Sequence, residues 1–350
     1  MLYDNRTWID DIDEIINSLP FLHELEDKTV MITGAAGLIC SAIVDIFIRY
    51  NERYKKKIHI FAAGRWASEM QDRFGVFVEK DYYTFISFDA SKMDNCLLTP
   101  CDYVIHGASN AYPSLICNEP VETMLSNIFG MKSLLDYAKD YSAKRVLFIS
   151  SSEVYGQKAD NQPYHEHEYG YIDLLNSRNS YAVGKRAAET LCASYMAEYG
   201  VESVIVRPGH IYGPTASKKD NRVASSWAYC ASHGEDIIMK SDGKQLRSYC
   251  YCLDCASAIL TVLLRGENGK AYNVSNPNSI VSVKSIAEAL TQLSSSKLVL
   301  QQASEEEKKV FNPMINSSLD SKRLEALGWR GLFDIKRGLA HTVSILKEVK

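Results

Sequence analysis

The stretch Val30-Met31-Ile32-Thr33-Gly34-Ala35-Ala36-Gly37-Leu38-Ile39-Cys40 decides how the rest of the chain is interpreted. Its first residues have the apolar, β-branched character of a buried strand, and after Gly37 the pattern becomes that of a helix. Glycine permits a tight turn and a close approach of backbone to ligand, and the start of a helix offers N–H donors and a positive dipole. The stretch therefore predicts a turn that holds the pyrophosphate of a dinucleotide, with an ordinary strand–helix turn as the alternative. The expected contacts in this turn are Gly34, Ala36, Gly37, Leu38 and Ile39.

One position departs from the usual dinucleotide pattern. Cys40 stands where a third glycine normally allows the helix to pack closely on the strand. We therefore expect helix and strand to lie slightly farther apart here than in a typical site.

Outward from this turn, strand patterns and helix patterns alternate along the chain. The strand candidates are Thr29–Thr33, Ile58–Ala62, Thr84–Phe88, Tyr103–His106, Arg145–Ser150 and Ser203–Arg207. The helix candidates, which carry apolar residues at three- and four-residue spacing, are Leu38–Tyr50, Pro120–Tyr141 and Tyr181–Tyr199. This order predicts an α/β fold of the Rossmann type, in which a doubly wound parallel sheet binds ligands beyond the carboxyl ends of its strands.

The same patterns divide the chain into parts. Residues 1–27 form a helical extension whose apolar face we expect to pack on the body or on a neighbouring subunit, and residues 28–207 form the dinucleotide-binding domain. Residues 208–244 and 276–350 form a smaller C-terminal substrate-binding lobe, while 245–275 read as strand then helix and return to the main sheet. The charged run 305–309 is expected to be the solvated face of a helix.

Composition excludes several classes of function. The chain has 350 residues, 46% of them hydrophobic, and a net charge of −4 without a basic stripe, so nucleic acid is not an expected partner. The apolar run 30–48 contains glycine, serine and aspartate and changes period, which favours a buried strand and helix over a membrane span. No secretory leader is visible, and nine scattered cysteines fit reduced thiols in a cytoplasm.

Neither Cys252-Leu253-Asp254-Cys255 nor His165-Glu166-His167 has the spacing of a metal site, so no metal is expected.

Tyr181 and Lys185 are the main catalytic candidates. They lie four residues apart on a predicted helix and so share a face, which brings an ammonium close to a phenol. A neighbouring positive charge lowers the pKa of a phenol from its ordinary value of about 10. One lysine is not sufficient to bring that pKa to neutrality, and an oxidised nicotinamide ring is the candidate for a second positive charge. The pair thus predicts a tyrosine that acts as a base beside a redox cofactor.

The sequence leaves the choice between two nicotinamide cofactors partly open. NAD sites usually carry an acidic residue at the end of the second strand, but this chain has Ala63-Gly64-Arg65 there. Arg65 could pair with the 2′-phosphate of NADP or pack on the adenine of NAD. Asp89, after the third strand, is placed to meet the adenine or else to cap a turn. We expect NAD, with NADP as the alternative.

With these residues assembled, the chain resembles the extended short-chain dehydrogenase/reductase family that modifies nucleotide sugars, and within it the UDP-glucuronate decarboxylase branch. The resemblance covers most of the chain from about residue 28. The motifs that carry it are His106-Gly107-Ala108-Ser109, Ser151-Ser152-Glu153-Val154-Tyr155-Gly156, Arg178 ahead of Tyr181-Ala182-Val183-Gly184-Lys185, Arg207-Pro208-Gly209-His210-Ile211-Tyr212-Gly213-Pro214, Arg247-Ser248-Tyr249-Cys250-Tyr251 and Tyr272-Asn273-Val274-Ser275-Asn276-Pro277.

The resemblance implies roles for individual residues. Ser151 would bond the reacting sugar hydroxyl, Tyr181 would take its proton, and Lys185 would hold the nicotinamide ribose and tune Tyr181. Ser152 and Glu153 complete the set of expected catalytic residues. Further expected cofactor contacts are Ala90, His106, Ala108, Ser109, Asn127, Ser150, Pro208 and His210. The expected substrate contacts are Ser109, Ser151, Arg178, Tyr181 and Arg247.

Three of these positions keep a second interpretation. Arg247 matches the position that grips the nucleotide diphosphate, or it forms a surface salt bridge. His210 replaces an asparagine and could reshape the pocket, or it is a structural histidine. Glu153 is a base or water-orienting group, or a carboxylate that caps the next turn.

The implied reaction begins with oxidation at sugar C4. In a uronic acid the new ketone makes the carboxylate a β-keto acid, which loses carbon dioxide. Dehydratases of the family place an acidic pair where this chain has Ser152-Glu153, which disfavours 4,6-dehydration. Decarboxylation is therefore the leading hypothesis, 4-epimerisation is its rival, and a regulator that binds a nucleotide without chemistry is the alternative from another class.

Family members commonly pair through two long helices. The helical patterns at Pro120–Tyr141 and Tyr181–Tyr199 are compatible with a homodimer of this kind.

Overall fold

The computed structural model describes residues 2–304, 311 and 314–349 and has an α/β fold. Its strands are β1 Thr29–Thr33, β2 His59–Gly64, β3 Tyr83–Ser87, β4 Tyr103–His106, β5 Arg145–Ile149, β6 Ser203–Pro208, β7 His210–Tyr212, β8 Ile237–Met239, β9 Leu246–Tyr251, β10 Ala271–Val274, β11 Ile280–Ser282, β12 Leu298–Leu300 and β13 Asn316–Ser317. Its helices are α1 Arg6–Ser18, α2 Cys40–Tyr54, α3 Ala67–Phe74, α4 Pro113–Asn118, α5 Pro120–Tyr141, α6 Ser180–Tyr199, α7 Val223–His233, α8 Cys252–Arg265, α9 Val283–Gln292, α10 Lys322–Glu325 and α11 Ile335–Glu348.

Seven parallel strands form the main sheet, in the order β10-β6-β5-β4-β1-β2-β3. Strands β1, β5 and β6 are almost fully buried because helices cover both faces, and this explains why they read as continuous apolar runs, whereas the edge strand β3 buries only Tyr83. The chain leaves β1 toward β2 and β3 and then returns to the other side of β1 as β4. The order therefore reverses between β1 and β4, and an open α/β sheet binds its ligand at such a point.

Two smaller sheets lie in the second half of the chain. Strand β9 pairs with β7 and β13 in parallel and with β11 in antiparallel fashion. Strand β8 pairs with β12. Together with α7, α9 and α11 these strands form the part that faces the carboxyl ends of the main sheet.

The predicted Rossmann-type fold is confirmed, and the six predicted strands all occur in the main sheet. Helix α2 begins at Cys40 rather than Leu38, since the glycine turn occupies the two extra residues. The sequence did not indicate α3, whose eight residues bury only Met70 and Phe74.

One prediction about the region 245–275 needs correction. Helix α8 and strand β10 do return to the main sheet, where β10 is its last strand. Strand β9 instead belongs to the second sheet, because its backbone pairs with β7, β11 and β13. Cys252 is the first residue of α8, so the Cys-x-x-Cys motif lies at a buried strand-to-helix junction as expected. The charged run 305–309 lies outside the described residues.

The N-terminal helix α1 packs on the body of the protein. Its apolar face, formed by Trp8, Ile12, Ile15 and Ile16, belongs to the main hydrophobic core. Across residues 2–304, 311 and 314–349, none of the helices is both long and apolar enough to cross a membrane.

Candidate active site

A cavity of about 470 Å³ opens at the carboxyl ends of the strands, beside the point where the strand order reverses. Every predicted catalytic residue and every predicted substrate contact lines it. These are Ser109, Ser151, Ser152, Glu153, Arg178, Tyr181, Lys185 and Arg247. Four further predicted cofactor contacts, Ile39, Ser150, Pro208 and His210, also line the cavity.

The glycine turn is shaped by its neighbour loop after β4. Gly34 has φ +67°, and a Cβ there would lie 3.0 Å from the backbone of Ala108. Its N–H donates to the Ala63 carbonyl at 2.9 Å, and Gly37 donates back to Gly34 at 2.8 Å. Only glycine fits Gly34, because both the left-handed backbone and the contact with Ala108 exclude a side chain.

Cys40 is accommodated by a glycine on the adjacent loop. A Cβ at Gly107 would lie 2.3 Å from the Cys40 sulfur, so the side chain occupies the space that this glycine leaves open. The thiol is buried, and burial raises its pKa to about 12. Gly107 thus makes room for Cys40, although the two residues lie 67 positions apart in the chain.

Tyr181 lies in the first turn of α6, and its pKa differs from the predicted direction. Burial and the negative charge of Glu153 raise the pKa of Tyr181 to about 12, and a hydrogen bond with Ser151 and the charges of Arg222 and Arg178 only partly offset them. The predicted lowering of this pKa by Lys185 is therefore wrong for this structure.

Lys185 shows why the predicted effect is missing. Its Nζ donates to the carbonyl of Ile149 at 2.8 Å and lies over the Phe148 ring, 5.6 Å from the centroid of the Tyr181 ring. Burial lowers the pKa of Lys185 to about 7, although the carboxylate of Glu189 acts in the opposite direction. A lysine that is partly neutral in a buried place provides little positive charge for the phenol.

Glu153 and Arg178 form an ion pair inside the cavity. The guanidinium donates to both carboxylate oxygens, at 3.0 and 3.3 Å. Ser151, rather than Glu153, caps the short 3₁₀ turn Ser152–Tyr155 by accepting from the Glu153 N–H at 3.2 Å. The interpretation of Glu153 as a capping carboxylate is therefore wrong, and its charge faces Arg178 and Tyr181.

The predicted adenine contacts lie at the far edge of the sheet. Arg65 is exposed after β2. Burial acts to raise the pKa of Asp89, but hydrogen bonds from Ser91 and the charges of Lys92 and Arg65 lower it overall. The Asp89 carboxylate accepts from the Ser91 N–H at 3.0 Å and from the Ser91 hydroxyl at 2.7 Å, so it closes a turn. Ala90 packs toward Gly130 of α5.

The remaining predicted cofactor contacts do not line the cavity: Gly34, Ala36, Gly37, Leu38, Arg65, Asp89, Ala90, His106, Ala108 and Asn127. Of these, His106 and Asn127 are buried polar side chains. The His106 ring is 1% exposed and lies between Phe88 and Phe148, with Nδ1 2.7 Å from the Thr33 hydroxyl. Asn127 is buried on α5 and accepts from the Ser109 hydroxyl at 3.1 Å. Both side chains therefore orient the loops that carry other candidate residues.

The nucleotide end of the cavity contains the predicted arginine and several residues that sequence reasoning missed. Arg247 is 5% exposed and donates to the carbonyls of Leu246 and Ile315 at 2.9 and 3.4 Å, which rules out the surface salt bridge. The missed cationic and amide groups are Asn221, Arg222, Lys240 and Gln245. Arg222 pairs with the buried Asp220. The charged pair Asp220-Asn221-Arg222 directly before a helix was the one sequence feature that could have indicated Arg222 as a site residue.

Several features fit a bound dinucleotide. Among the residues that the structure describes, the buried Ser150 hydroxyl and His210 Nδ1 have no hydrogen-bond partner, and both residues line the cavity. Burial lowers the pKa of His210 to about 3, so its ring is neutral and can accept or donate one hydrogen bond. Helix α2 has no side-chain cap at Ile39, and the Ser41 N–H donates to the Gly37 carbonyl at 2.9 Å, so an anion would be held here by the other N–H groups of the first turn and by the helix dipole. The residues present are thus suited to a nicotinamide dinucleotide held along the β1, β4 and β5 ends.

A doubly wound parallel sheet with Ser151, Tyr181 and Lys185 at its carboxyl edge defines an extended short-chain dehydrogenase/reductase. The chain belongs to the NAD dependent epimerase/dehydratase family, whose model matches residues 30–275. This membership confirms the predicted enzyme class and the prediction of NAD as the cofactor.

Known proteins similar to the chain cover most of its length. UDP-glucuronic acid decarboxylase 5 of Arabidopsis thaliana is 29% identical over 310 residues, which are 89% of this chain and 86% of that protein. UDP-glucuronic acid decarboxylase 1 of Xenopus tropicalis is 27% identical over 330 residues, 94% of this chain and 74% of that protein. The human dTDP-D-glucose 4,6-dehydratase is 25% identical over 338 residues, 92% of this chain and 90% of that protein.

A solved structure shows the same fold. The UDP-glucuronic acid 4-epimerase of Bacillus cereus, in complex with UDP-glucuronic acid and NAD, superposes with a TM-score of 0.76 at 20% identity and covers 92% of this chain. At that identity the likeness concerns the fold alone.

Proposed function

We propose that the protein decarboxylates a UDP-linked hexuronic acid through transient oxidation at sugar C4. The observation that carries the proposal is the charge of the cavity. Among its described lining residues, Glu153 is the only carboxylate, against the guanidinium groups of Arg178, Arg222 and Arg247. Glu153 pairs with Arg178, and Arg222 pairs with Asp220, while the described hydrogen bonds of Arg247 go to backbone carbonyls. A substrate with a diphosphate and a sugar carboxylate matches this excess of positive charge, and the named decarboxylase relatives support the choice.

The residues act in sequence on the sugar. The Ser151 hydroxyl bonds the C4 hydroxyl and orients its proton toward Tyr181, which removes that proton as the C4 hydride leaves. When bound, NAD supplies the acceptor for this hydride. Arg247 holds the diphosphate, because a planar guanidinium can reach two phosphate oxygens.

The second half of the reaction follows from the C4 ketone. The carboxylate on C5 is now β to a carbonyl, so the bond from C5 to the carboxyl carbon breaks and carbon dioxide leaves. The electron pair passes into the C4–C5 enolate, which takes a proton at C5. Hydride then returns to C4 and Tyr181 returns its proton to the oxygen, which gives a pentose nucleotide with no net oxidation.

The test is incubation of the purified protein and NAD with UDP-glucuronic acid, followed by mass spectrometry. We expect release of carbon dioxide and a UDP-pentose, and a loss of about 10²–10⁴-fold in rate for Tyr181→Phe. A product of unchanged mass would instead indicate 4-epimerisation, which uses the same Ser151, Tyr181 and Lys185. Loss of water would indicate 4,6-dehydration.

We further propose that the protein is a cytoplasmic homodimer. All nine cysteines are free thiols, as suits a reducing compartment. Helices α5 and α6 pack on each other, and the outer side of α5 carries a strip of partly exposed apolar residues. These are Val121, Leu125, Ile128 and Phe129. A second copy of the chain would bury this strip as a helix bundle.

A further inference from the structure

Helix α1 precedes the region that the family model matches and makes specific contacts with the helix of the glycine turn. The indole Nε1 of Trp8 donates to Oδ2 of Asp45 at 2.9 Å. Trp8 and Asp45 are 0% and 1% exposed. Arg49, one turn further along α2, donates to both oxygens of Asp13 at 2.8 and 2.7 Å.

The same helix is bound on its other side to the second half of the chain. Asp11 accepts from the Tyr251 hydroxyl at 3.1 Å and contacts His341 Nδ1 at 2.9 Å. Glu14 pairs with Arg337 at 3.0 Å. Tyr251 ends strand β9, and Arg337 and His341 lie on α11.

These two sets of contacts place α1 behind both walls of the cavity. Helix α2 begins directly after Ile39, which lines one wall, and β9 contributes Arg247 and Tyr249 to the other. The N-terminus of α2 would hold the pyrophosphate of a bound cofactor, so the position of α2 relative to β9 would set the distance between the two ends of the binding site.

We propose that α1 is a positioning element that holds the cofactor helix α2 against β9 and α11 and thereby sets the affinity for NAD. Trp8 and Asp13 are its contacts toward α2, and Asp11 and Glu14 are its contacts toward the second half of the chain. None of the four touches the cavity, so they act through α2.

The test compares two tryptophan variants of the full chain. Trp8→Phe keeps an aromatic ring at this place and removes the N–H bond to Asp45. Trp329→Phe is the matched control, since its buried Nε1 donates to the Ser257 hydroxyl, also at 2.9 Å, on helix α8. Both variants should lower the Tm. Only Trp8→Phe should raise the Kd for NAD, by at least about fivefold, the lower end of typical coupling between sites.

A second pair of variants covers the case in which Trp8→Phe does not fold. Asp13→Asn removes the ion pairs with Arg49 and Arg53 on α2, while Asp10→Asn removes only the exposed pair with Arg6 inside α1. We expect a raised Kd for NAD in Asp13→Asn and an unchanged one in Asp10→Asn, by titration well below each Tm. An unchanged Kd in both Trp8→Phe and Asp13→Asn, or an equal rise in each variant and its control, would overturn the proposal.

Discussion

At the scale of single residues, burial is the largest cause of the raised pKa of Tyr181, and the ion pair beside it adds to or offsets that effect. Glu153 raises the pKa of Tyr181, and Arg178, which holds Glu153, lowers it. Glu153→Gln should therefore lower this pKa. Because the rate of hydride transfer rises as the phenol loses its proton, the alkaline rise of the pH–rate profile should move to lower pH, by about one pH unit.

The measurement is the pH dependence of the oxidation half-reaction, followed by the absorbance of reduced nicotinamide. Arg178→Gln should move the profile in the opposite direction, because it leaves the Glu153 charge uncompensated. Glu24→Gln, at an exposed pair with Arg265, is the control and should leave the profile in place. A shift of the same sign in Glu153→Gln and Arg178→Gln would contradict this account.

The burial of Lys185 lowers the stability of the folded protein. Its pKa is lowered from 10.5 to about 7, so the unfolded chain binds more protons than the folded chain between these two values, and stability rises with pH across that window. Lys185→Met should abolish activity and yet stabilise the protein by roughly 1–3 kcal/mol below pH ~7. Urea unfolding near pH ~6 and ~9.5 should show this gain shrinking as pH rises, and a pH-independent gain would argue against a buried, titrating lysine.

At the scale of elements, the β1–α2 turn and the loop after β4 are fitted to one another through Cys40 and Gly107. Gly107→Ala should place a methyl against the Cys40 sulfur and cost about 1–3 kcal/mol. Cys40→Ala should restore most of this loss in the double variant, because the sulfur is then absent. Gly64→Ala is the control, since its new Cβ would meet only the flexible end of Met70 and should cost less. Equal and additive losses in urea unfolding would show that the two positions are independent.

At the scale of the whole molecule, the outer face of α5 decides the assembly. A charge in the apolar strip should prevent a helix bundle from forming, so Leu125→Arg should give monomers by light scattering. Leu175→Arg is the control, because Leu175 is 97% exposed in a loop outside these helices. A wild-type protein that is monomeric at micromolar concentration would exclude the proposed dimer.

The fold could be predicted because its determinants are local. Glycine at Gly34, the apolar runs of the strands and the periodicity of Pro120–Tyr141 and Ser180–Tyr199 act over a few residues, and each element bears that pattern whatever it packs against. Strand β9 was placed in the wrong sheet because its pattern is that of any buried strand. Its pairing with β7, β11 and β13 depends on segments elsewhere in the chain.

By itself, then, the sequence determined the doubly wound sheet, the glycine turn and the gathering of Ser151, Tyr181 and Lys185, since strand order along the chain brings these to one edge. Only the tertiary structure decided the charge around Tyr181, the fit of Cys40 against Gly107 and the place of Arg222 in the cavity. The physical reason is that burial and electrostatic interactions depend on distances between residues remote in the chain, such as Glu153 and Arg178, 25 positions apart. No local pattern records those distances.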